Sequence, residues 1–327
     1  MNIAIIGSGL AGLTAATKLK DFANVTVFEK SLGVSGRLST RNADPYFFDH
    51  GAQYFKIKSD EFKEFVSPII QEGFIKKWDA RFVEIKNRKI IRERDWDEKN
   101  IHYVGVPGMN SIGKYLAHGL NIKFDMHVQS IHKDKDKWYL KDQEGSEHGY
   151  YDWIIITAPA PQTLNFIDKN STFYKMIESI KMSACYSLML GFDKPLPLSF
   201  DAAHIYGDDL SWISVNSSKP GRNNKFCLLI NSTNEWANQN INNDREEIKD
   251  YLIKQSTKVL GHDLNTASHK VIHGWRYANT DFQQGEKYLI DKNKNIAICG
   301  DWLIQGRVEA AYTSGSEMTK KLLKIIL

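Results

Sequence analysis

The sequence predicts an α/β fold in which a domain built on a parallel sheet is interrupted by a second domain that contains a mixed sheet. Three observations support this fold class. Short apolar runs of the kind that form strands buried on both faces occur at residues 2–6, 25–28, 153–157 and 296–299. A glycine-rich turn and a helical pattern follow the first run directly. Longer strand-like runs and one amphipathic helix fill residues 161–288.

The remaining elements follow from periodicity and turn residues. Helical spacing predicts helices over residues 61–71, 111–120, 244–260 and 308–327, the second of them capped by Asn110 or Ser111. Strand-like runs lie at residues 78–84, 89–91, 127–131, 138–140, 186–192, 212–215, 226–231 and 270–277. Residues 86–99 mix charges of both signs, which predicts a solvated hairpin or loop.

Composition excludes several classes of protein. The chain has 327 residues, enough for two domains, and 42% of them are hydrophobic. A formal charge of +4 is too small to indicate a nucleic-acid partner. No apolar run is long enough for a membrane span and the first residues lack a signal-peptide pattern, so we expect a cytoplasmic protein with no membrane partner. Cys185, Cys227 and Cys299 are scattered, which predicts reduced core thiols and no metal site.

The strongest motif is the run Gly7-Ser8-Gly9-Leu10-Ala11-Gly12, which matches G-x-G-x-x-G between a strand and a helix. The first glycine permits a tight turn, the second a close approach of backbone to a pyrophosphate, and the third close helix packing. Glu29 closes the next strand and can accept hydrogen bonds from ribose hydroxyls, and Lys30 beside it is included in the same predicted site. The sequence therefore predicts a Rossmann-like dinucleotide-binding domain, with NAD and FAD both open at this point.

A second glycine-rich segment, Gly33-Val34-Ser35-Gly36-Arg37, resembles the flavin amine oxidase superfamily, although Ser35 stands where that family usually has glycine. We expect the turn to be kept with a slightly altered backbone. Further blocks are similar to the renalase-like branch, and the resemblance spans nearly the whole chain. These blocks cover residues 49–55 (DHGAQYF), 106–109 (VPGM), 218–222 (SKPGR), 273–278 (HGWRYA), 300–302 (GDW) and 306–311 (GRVEAA).

The resemblance implies FAD as the cofactor and assigns residues to it. Gly36 and Arg37 would hold the phosphates, Val128 would give the adenine backbone contacts, and Asp301 after Gly300 would bind the ribityl or pyrophosphate region. Gly51, Ala52 and Gln53 would pass close to the isoalloxazine ring. Val308 begins the last helix, whose N-terminus would stabilise an anionic reduced flavin. No cysteine lies in residues 306–318, so we expect non-covalent FAD.

By the same resemblance the fold is of the two-domain type shared by amine oxidases and p-hydroxybenzoate hydroxylase. The predicted FAD-binding domain comprises residues 1–54, 101–160 and 289–327. The predicted substrate domain comprises residues 55–100 and 161–288.

Renalase-like proteins oxidise dihydronicotinamide isomers of NAD(P)H, which carry hydride at the 2 or 6 position, to NAD(P)+ and reduce O2 to hydrogen peroxide. We carry this activity over as a hypothesis, with a nicotinamide-type substrate and O2 as partners. No nucleophile, general base or metal motif occurs, so no catalytic residue is assigned. Trp212, Asn216 and Trp275 are candidate substrate contacts, each weighed against a core or turn-capping role.

Two alternatives stay open. An amine or related C–N oxidase of the same superfamily would need an aromatic pair beside the flavin. A non-catalytic flavin or nucleotide sensor would keep the cofactor fold, but the long second segment is more simply explained as a substrate chamber.

Overall fold

A computed structural model describes residues 1–327. It contains eight α-helices, named α1–α8 in chain order: Leu10–Leu19, Asp60–Gln71, Ser111–Ala117, Ala160–Thr163, Tyr174–Ser179, Asn234–Asn240, Arg245–Leu260 and Val308–Ile326. Its strands are named β1–β20 in the same way: Asn2–Ile6, Asn24–Phe28, Arg41–Ala43, Tyr46–Phe48, Ile75–Lys77, Arg81–Lys86, Lys89–Asp95, Tyr103–Gly105, Asn121–Lys123, Val128–Asp134, Lys137–Asp142, Glu147–Tyr151, Trp153–Ile156, Ser183–Phe192, Ala202–Tyr206, Leu210–Val215, Phe226–Ser232, His269–Asn279, Tyr288–Asp291 and Ile296–Cys299.

The first sheet has six strands in the order β19-β20-β13-β1-β2-β9. Its strands pair in parallel except for β19, which runs antiparallel to β20. Strands β1, β13 and β20 are buried almost throughout, as their continuous apolar sequences predict. Helices α1 and α8 pack together, and the backbone of Gly315 comes so close to Ala11 that an added Cβ would lie 2.6 Å from the Ala11 carbonyl oxygen.

The second sheet has seven strands in the order β18-β14-β17-β16-β15-β6-β7. Only the β15–β6 pair is parallel, so this sheet is mixed. One face is apolar and shares a core with α7, to which Leu188, Leu228, Ile230 and Leu252 belong. The α/β fold with a Rossmann-like sheet and a mixed second sheet is therefore confirmed.

Helix α2 connects the two sheets more closely than the predicted domain ranges suggest. It lies within residues 55–100, yet Phe62 and Val66 share a core with Leu13 of α1 and Tyr312 of α8. Trp212 of the second sheet belongs to the same core. The division into two domains stays a prediction. No helix has both the length and the apolar character required to cross a membrane.

Two local predictions have different outcomes. The charged segment 86–99 contains the turn of the β6–β7 hairpin at Asn87 and Arg88, with φ of 50° and 62°, and the strand β7, all of whose residues are exposed. Trp96, which follows β7, is buried instead. Helix α3 ends at Ala117 instead of residue 120, just before Gly119 with its φ of 74°. Neither predicted cap residue of α3 acts as one: Asn110 has helical φ and ψ and caps nothing, and Ser111 is already inside the helix.

Candidate cofactor and substrate site

The glycine-rich turn after β1 fits a bound pyrophosphate. Gly7 has a φ of +106°, and a Cβ on Gly12 would lie 2.1 Å from the Gly7 carbonyl oxygen, so the turn and the helix can meet only with glycine there. Gly9 is the N-cap of α1 and supplies no side-chain hydrogen bond to the helix amides. No atom lies within 4 Å of a Cβ placed on Gly9, so a ligand has room to reach these amides.

Glu29 lies at the end of β2 with its side chain buried. Its Oε2 accepts hydrogen bonds from the Ser8 amide (2.9 Å) and hydroxyl (2.7 Å), and its Oε1 accepts one from the Ser31 amide (2.9 Å). A carboxylate has about four lone-pair positions, so one remains for a ribose hydroxyl. Lys30, the next residue, is exposed. The Met126 amide donates to the Glu29 carbonyl (2.9 Å), and this hydrogen bond holds Val128, two residues later, near the same end of the sheet.

Arg37 and Asp301, both predicted to bind the cofactor, bind each other. Arg37 Nη1 donates to Asp301 Oδ2 (2.9 Å), and Arg37 Nη2 forms an ion pair with Asp301 Oδ1. Asp301 is buried directly after Gly300, whereas the Arg37 side chain is 30% exposed. The pair joins the turn at Gly36 to the end of β20, and direct contacts of either residue with FAD stay predictions.

Ser35 keeps the turn as expected and alters it locally. It adopts a φ of 97°, a region that is unfavourable for a residue with a side chain. Its hydroxyl donates to the Asn110 carbonyl (3.0 Å) and lies so close to Gly113 that a Cβ there would be 2.1 Å from the serine oxygen. The hydrogen bond to Asn110 and the absence of a side chain on Gly113 thus accommodate Ser35 where the family usually has glycine.

The segment predicted to pass the flavin ring lies against the Arg37 turn. A Cβ on Gly51 would be 2.0 Å from the Arg37 carbonyl oxygen, and the Ala52 amide donates to that oxygen (2.9 Å). Gln53 makes four hydrogen bonds: Nε2 donates to the carbonyls of Asp49 (2.6 Å) and Gly51 (2.9 Å), and Oε1 accepts from Ser214 (3.1 Å) and Lys219 (3.3 Å). All hydrogen-bonding positions of the Gln53 side chain are therefore occupied by protein groups. We accordingly expect this segment to contact the flavin through its backbone.

The predicted start of the last helix also matches the structure. Helix α8 begins at Val308, and its N-cap residue Arg307 makes no side-chain hydrogen bond to the first amides. Gly300 is held to the same helix, because its amide donates to the Ser314 hydroxyl (2.9 Å). An uncapped helix N-terminus carries partial positive charge. The helix can therefore stabilise negative charge on a ligand next to Val308.

A buried ionic network contacts the segment at residues 49–53. Sequence reasoning did not assign it. Asp49, Lys219 and Arg222 have side chains that are 0%, 0% and 2% exposed. Lys219 Nζ lies 3.1 Å from Asp49 Oδ2, which also pairs with Arg222, while the Met109 amide donates to Asp49 Oδ1 (2.9 Å). The only signal in the sequence was that residues 49–55 and 218–222 belong to blocks that resemble one family.

The charges of this network are set by burial and by each other. Burial alone would raise the pKa of Asp49, but the cations of Lys219 and Arg222 outweigh it and hold the pKa at about 2. Burial lowers the pKa of Lys219 to about 8, against the opposing effect of Asp49. One carboxylate thus faces two basic groups beside the predicted flavin segment.

The face of the second sheet opposite α7 carries polar side chains toward residues 50–53. Strand register places His273, Ser187, Asn231 and Trp212 side by side across four strands. The Ser187 hydroxyl donates to the His50 carbonyl (2.8 Å), and Asn231 Nδ2 donates to the Ser187 oxygen (2.9 Å). We call His273, Ser187, Asn231 and Trp212 the polar row.

The three predicted substrate residues occupy different environments. Trp275 lies beside the polar row, stacks on His50 at 5.3 Å between ring centroids, and donates from Nε1 to the His50 carbonyl (2.7 Å). Trp212 is 9% exposed and packs with other aromatic rings, which favours the core role. Asn216 is fully buried and bonds to the Phe47 carbonyl and the Asp49 amide, which favours the structural role.

Histidines near this site are neutral at pH 7. Burial lowers the pKa of His50 and of His273 to about 4, with further lowering by Arg41 at both rings. The Nδ1 atom of His50 is buried and has no hydrogen-bond partner. All three cysteines are free thiols, and no group of three or more His, Cys, Asp or Glu side chains could hold a metal ion.

Comparison with known proteins agrees with this geometry. Residues 5–68 match the NAD(P)-binding Rossmann-like domain, and residues 84–321 match the family of flavin containing amine oxidoreductases. Over 204 residues the chain is 42% identical to 4,4'-diapophytoene desaturase from Staphylococcus aureus strain bovine RF122 / ET3-1 and 25% identical to that from strain MRSA252. Each alignment covers 59% of this chain and 39% of the relative, so the match spans about two fifths of those relatives' length.

Solved structures share the fold at low sequence identity. A putative protoporphyrinogen oxidase from Exiguobacterium sp. 255-15 has a TM-score of 0.79 at 11% identity, covering 98% of both chains. Putrescine oxidase bound to putrescine has a TM-score of 0.71 at 12% identity, covering 99% of both chains. The cofactor of the chain is FAD, as the family indicates and as the glycine-rich turn and Glu29 accommodate. The match over residues 84–321, more than half of the sequence, shows that the chain belongs to the family of flavin containing amine oxidoreductases.

Proposed function

We propose that the protein oxidises 2- and 6-dihydronicotinamide isomers of NAD(P)H to NAD(P)+, with O2 reduced to hydrogen peroxide. The observation that carries the proposal is the convergence of the segments that resemble renalase-like proteins. Asp49 pairs with Lys219 and Arg222, which lie about 170 residues away in the sequence, and His50 stacks on Trp275. Segments scattered through the sequence thus meet at residues 49–50, and the polar row together with Trp275 forms a wall against this segment.

The chemistry of this wall supports a substrate that needs positioning more than acid or base catalysis. FAD accepts a hydride at N5 when it is bound. The protein's own contribution is to hold the reacting ring: Trp275 offers a flat face, and Asn231, which Ser187 holds in place, and neutral His273 offer hydrogen bonds. A dihydronicotinamide gains aromaticity as hydride leaves, so no proton has to be removed from it.

The same wall is a poor match for a cationic amine. The polar row contains no carboxylate, and the neighbouring pair of residues in the two strands, Cys185 and Trp275, adds none. The adjacent carboxylate, Asp49, is buried and neutralised by Lys219 and Arg222. An ammonium group would therefore find no charged partner there. This argues against the amine oxidase alternative.

The test is anaerobic mixing of the FAD-loaded protein with 2- or 6-dihydroNAD(P) while the flavin absorption is followed. We expect bleaching within seconds, and recovery with formation of hydrogen peroxide when O2 is admitted. NADH and putrescine are the comparison substrates. Faster bleaching by either of them would overturn the proposal. Bleaching that O2 reverses only slowly would favour the sensor alternative.

A further inference from the structure

We propose that four basic side chains, Lys56, Lys58, Arg94 and Arg307, bind the phosphate groups of the substrate. We call these four residues the basic rim. The inference deepens the proposed function, on which it rests, because it requires the substrate to be a nucleotide carrying its phosphates and not the free dihydronicotinamide ring.

Contacts among their neighbours place the rim residues around one surface. Lys56 bonds to Asn100, whose carbonyl oxygen lies 2.7 Å from His102 Nδ1, and the His102 ring stacks on Trp96 at 3.5 Å between centroids. Arg94 lies over Phe82, which stacks on the same Trp96 at 5.4 Å. Burial raises the pKa of Tyr54, and the charges of Arg307 and Arg94 oppose this rise. The Tyr54 and His102 rings are 4.6 Å apart between centroids. Burial lowers the pKa of Lys56, and the charges of Arg94 and Lys58 lower it further.

Three of the rim side chains are held in place by neutral groups. Lys56 Nζ donates to Asn100 Oδ1 (2.7 Å). The Arg94 guanidinium lies over the Phe82 ring at 4.9 Å. Arg307 Nη1 donates to the Gly306 carbonyl (2.8 Å). Side chains that are positioned before binding lose less conformational entropy when an anion arrives.

The four basic groups of the rim form no ion pair, and they outnumber the one carboxylate beside them, Glu309. None of the four rim residues has a carboxylate oxygen within 4.0 Å, whereas Lys77, Arg81 and Arg92 nearby each pair with a glutamate. Glu309 lies close to Lys58, but its two carboxylate oxygens accept the amides of Lys58 and Ser59 (both 2.8 Å). Four unpaired cations around one surface create a potential that attracts an anion.

An aromatic cluster lies directly beneath the rim. Tyr54 contacts Trp96 at 5.0 Å and Trp212 at 5.6 Å between ring centroids, and its hydroxyl makes no hydrogen bond within the protein. Flat rings beside unpaired cations are suited to a ligand that combines a base or a sugar with phosphate.

The rim is placed for the substrate and not for FAD's own phosphates. Lys56 follows Gln53 by three residues, and Arg307 directly precedes Val308, so the rim borders both segments predicted at the flavin ring. The pyrophosphate of FAD is predicted at the glycine-rich turn instead, where α1 begins at Leu10. An anion at the rim would therefore belong to a second ligand next to the flavin.

The experiment measures binding of ADP-ribose, which has the pyrophosphate but no nicotinamide, to the FAD-saturated protein by calorimetry. We expect Arg94→Ala and Lys56→Ala each to weaken binding by about tenfold, because each removes a charged contact to phosphate. Lys89→Ala, in the same exposed strand β7, is the matched control and should bind like the parent protein. Binding should weaken at about 1 M ionic strength, because the Debye length falls to about 3 Å and the charges of the rim are screened.

The two proposals fail in different ways. Absence of ADP-ribose binding, or equal affinity in the parent and in both rim variants, would overturn the basic rim. Arg94→Lys should recover part of the affinity, which shows that charge matters and that the fold of the hairpin is intact. If ADP-ribose binds through the rim while the dihydronicotinamide isomers fail to bleach the flavin, the rim stands and the proposed oxidation is wrong.

Discussion

At the scale of single residues, several predicted cofactor residues hold the site together through one another. Gln53 uses its whole amide within the protein, and Arg37 pairs with Asp301. Sequence reasoning assigned these residues to the cofactor because their types and spacing resemble the family's. It could not find their partners, because a hydrogen bond such as Lys219 to Asp49 joins residues 170 positions apart.

Gly51 offers a test of how closely the predicted flavin segment is packed. Gly51→Ala would place a methyl group 2.0 Å from the Arg37 carbonyl oxygen, so the backbone has to move. We expect a loss of about 1–3 kcal/mol in stability, as for other overpacked sites, together with weaker retention of FAD. Urea unfolding and the ratio of flavin to protein after dialysis measure the two effects.

Gly33→Ala is the matched control for this substitution. Gly33 lies in the neighbouring glycine-rich segment, and a Cβ there meets no atom within 4 Å. We expect it to change stability by less than about 0.5 kcal/mol, as open surface positions usually do. Equal effects of the two alanines would show that the close approach at Gly51 is not what the site requires.

At the scale of elements, local signals predicted most of what forms. The apolar runs became β1, β2, β13 and β20, and the helix expected at residues 244–260 spans Arg245–Leu260. The bounds of predicted elements differ at their ends, where hydrogen bonds of one or two side chains decide the boundary. Sequence reasoning also missed eight strands and three helices altogether, most of them short, such as β15 at Ala202–Tyr206 and α6 at Asn234–Asn240. The polar row lay beyond sequence reasoning for another reason. It depends on the register of four strands that are separated in the chain, and the sequence of a single strand does not determine how that strand aligns with its neighbours.

The residues that precede α7 and α3 differ in whether their side chains cap the helix. Asp244 accepts hydrogen bonds from the Glu246 amide (2.8 Å) and the Glu247 amide (3.2 Å), so Asp244→Ala should destabilise the protein by about 1 kcal/mol. Asn110 precedes α3 without capping it, so Asn110→Ala should cost less than about 0.5 kcal/mol. Thermal unfolding of the two variants gives the comparison. A larger loss for Asn110→Ala would contradict the geometry of both helix ends.

At the scale of the whole molecule, the predicted cofactor and substrate residues lie where the two sheets meet. The turn at Gly7–Gly12 and the start of α8 belong to the parallel sheet, while the polar row belongs to the mixed one. Residues 49–53 lie between them and contact both, through Arg37 on one side and Ser187 and Ser214 on the other. The fold class and the cofactor end were predictable from local motifs. The second half of the site was not, because it exists only after the sheets pack.

Packing at this junction also predicts how stability changes with pH. Burial lowers the pKa of His50, His102 and His273 to about 4, below the usual 6.5. Between pH 6.5 and pH 4 the unfolded chain therefore binds protons that the folded chain does not, so the free energy of unfolding should fall as the pH is lowered through this range. Since His273 is only half-buried, its share is reduced by solvent screening, and we expect a total loss of a few kcal/mol.

Urea unfolding of the FAD-loaded protein at intervals from pH 7 to pH 4 measures this slope. His50→Gln should flatten it, because an amide at the same position takes up no proton, whereas His118→Gln at an exposed position is the matched control and should leave it unchanged. FAD release has to be followed in parallel by flavin fluorescence, since loss of a ligand that binds only the folded state also lowers apparent stability. A profile that stays flat down to pH 4 in the parent protein would show that the three rings are protonated in the folded state, and that the junction between the sheets is open to water.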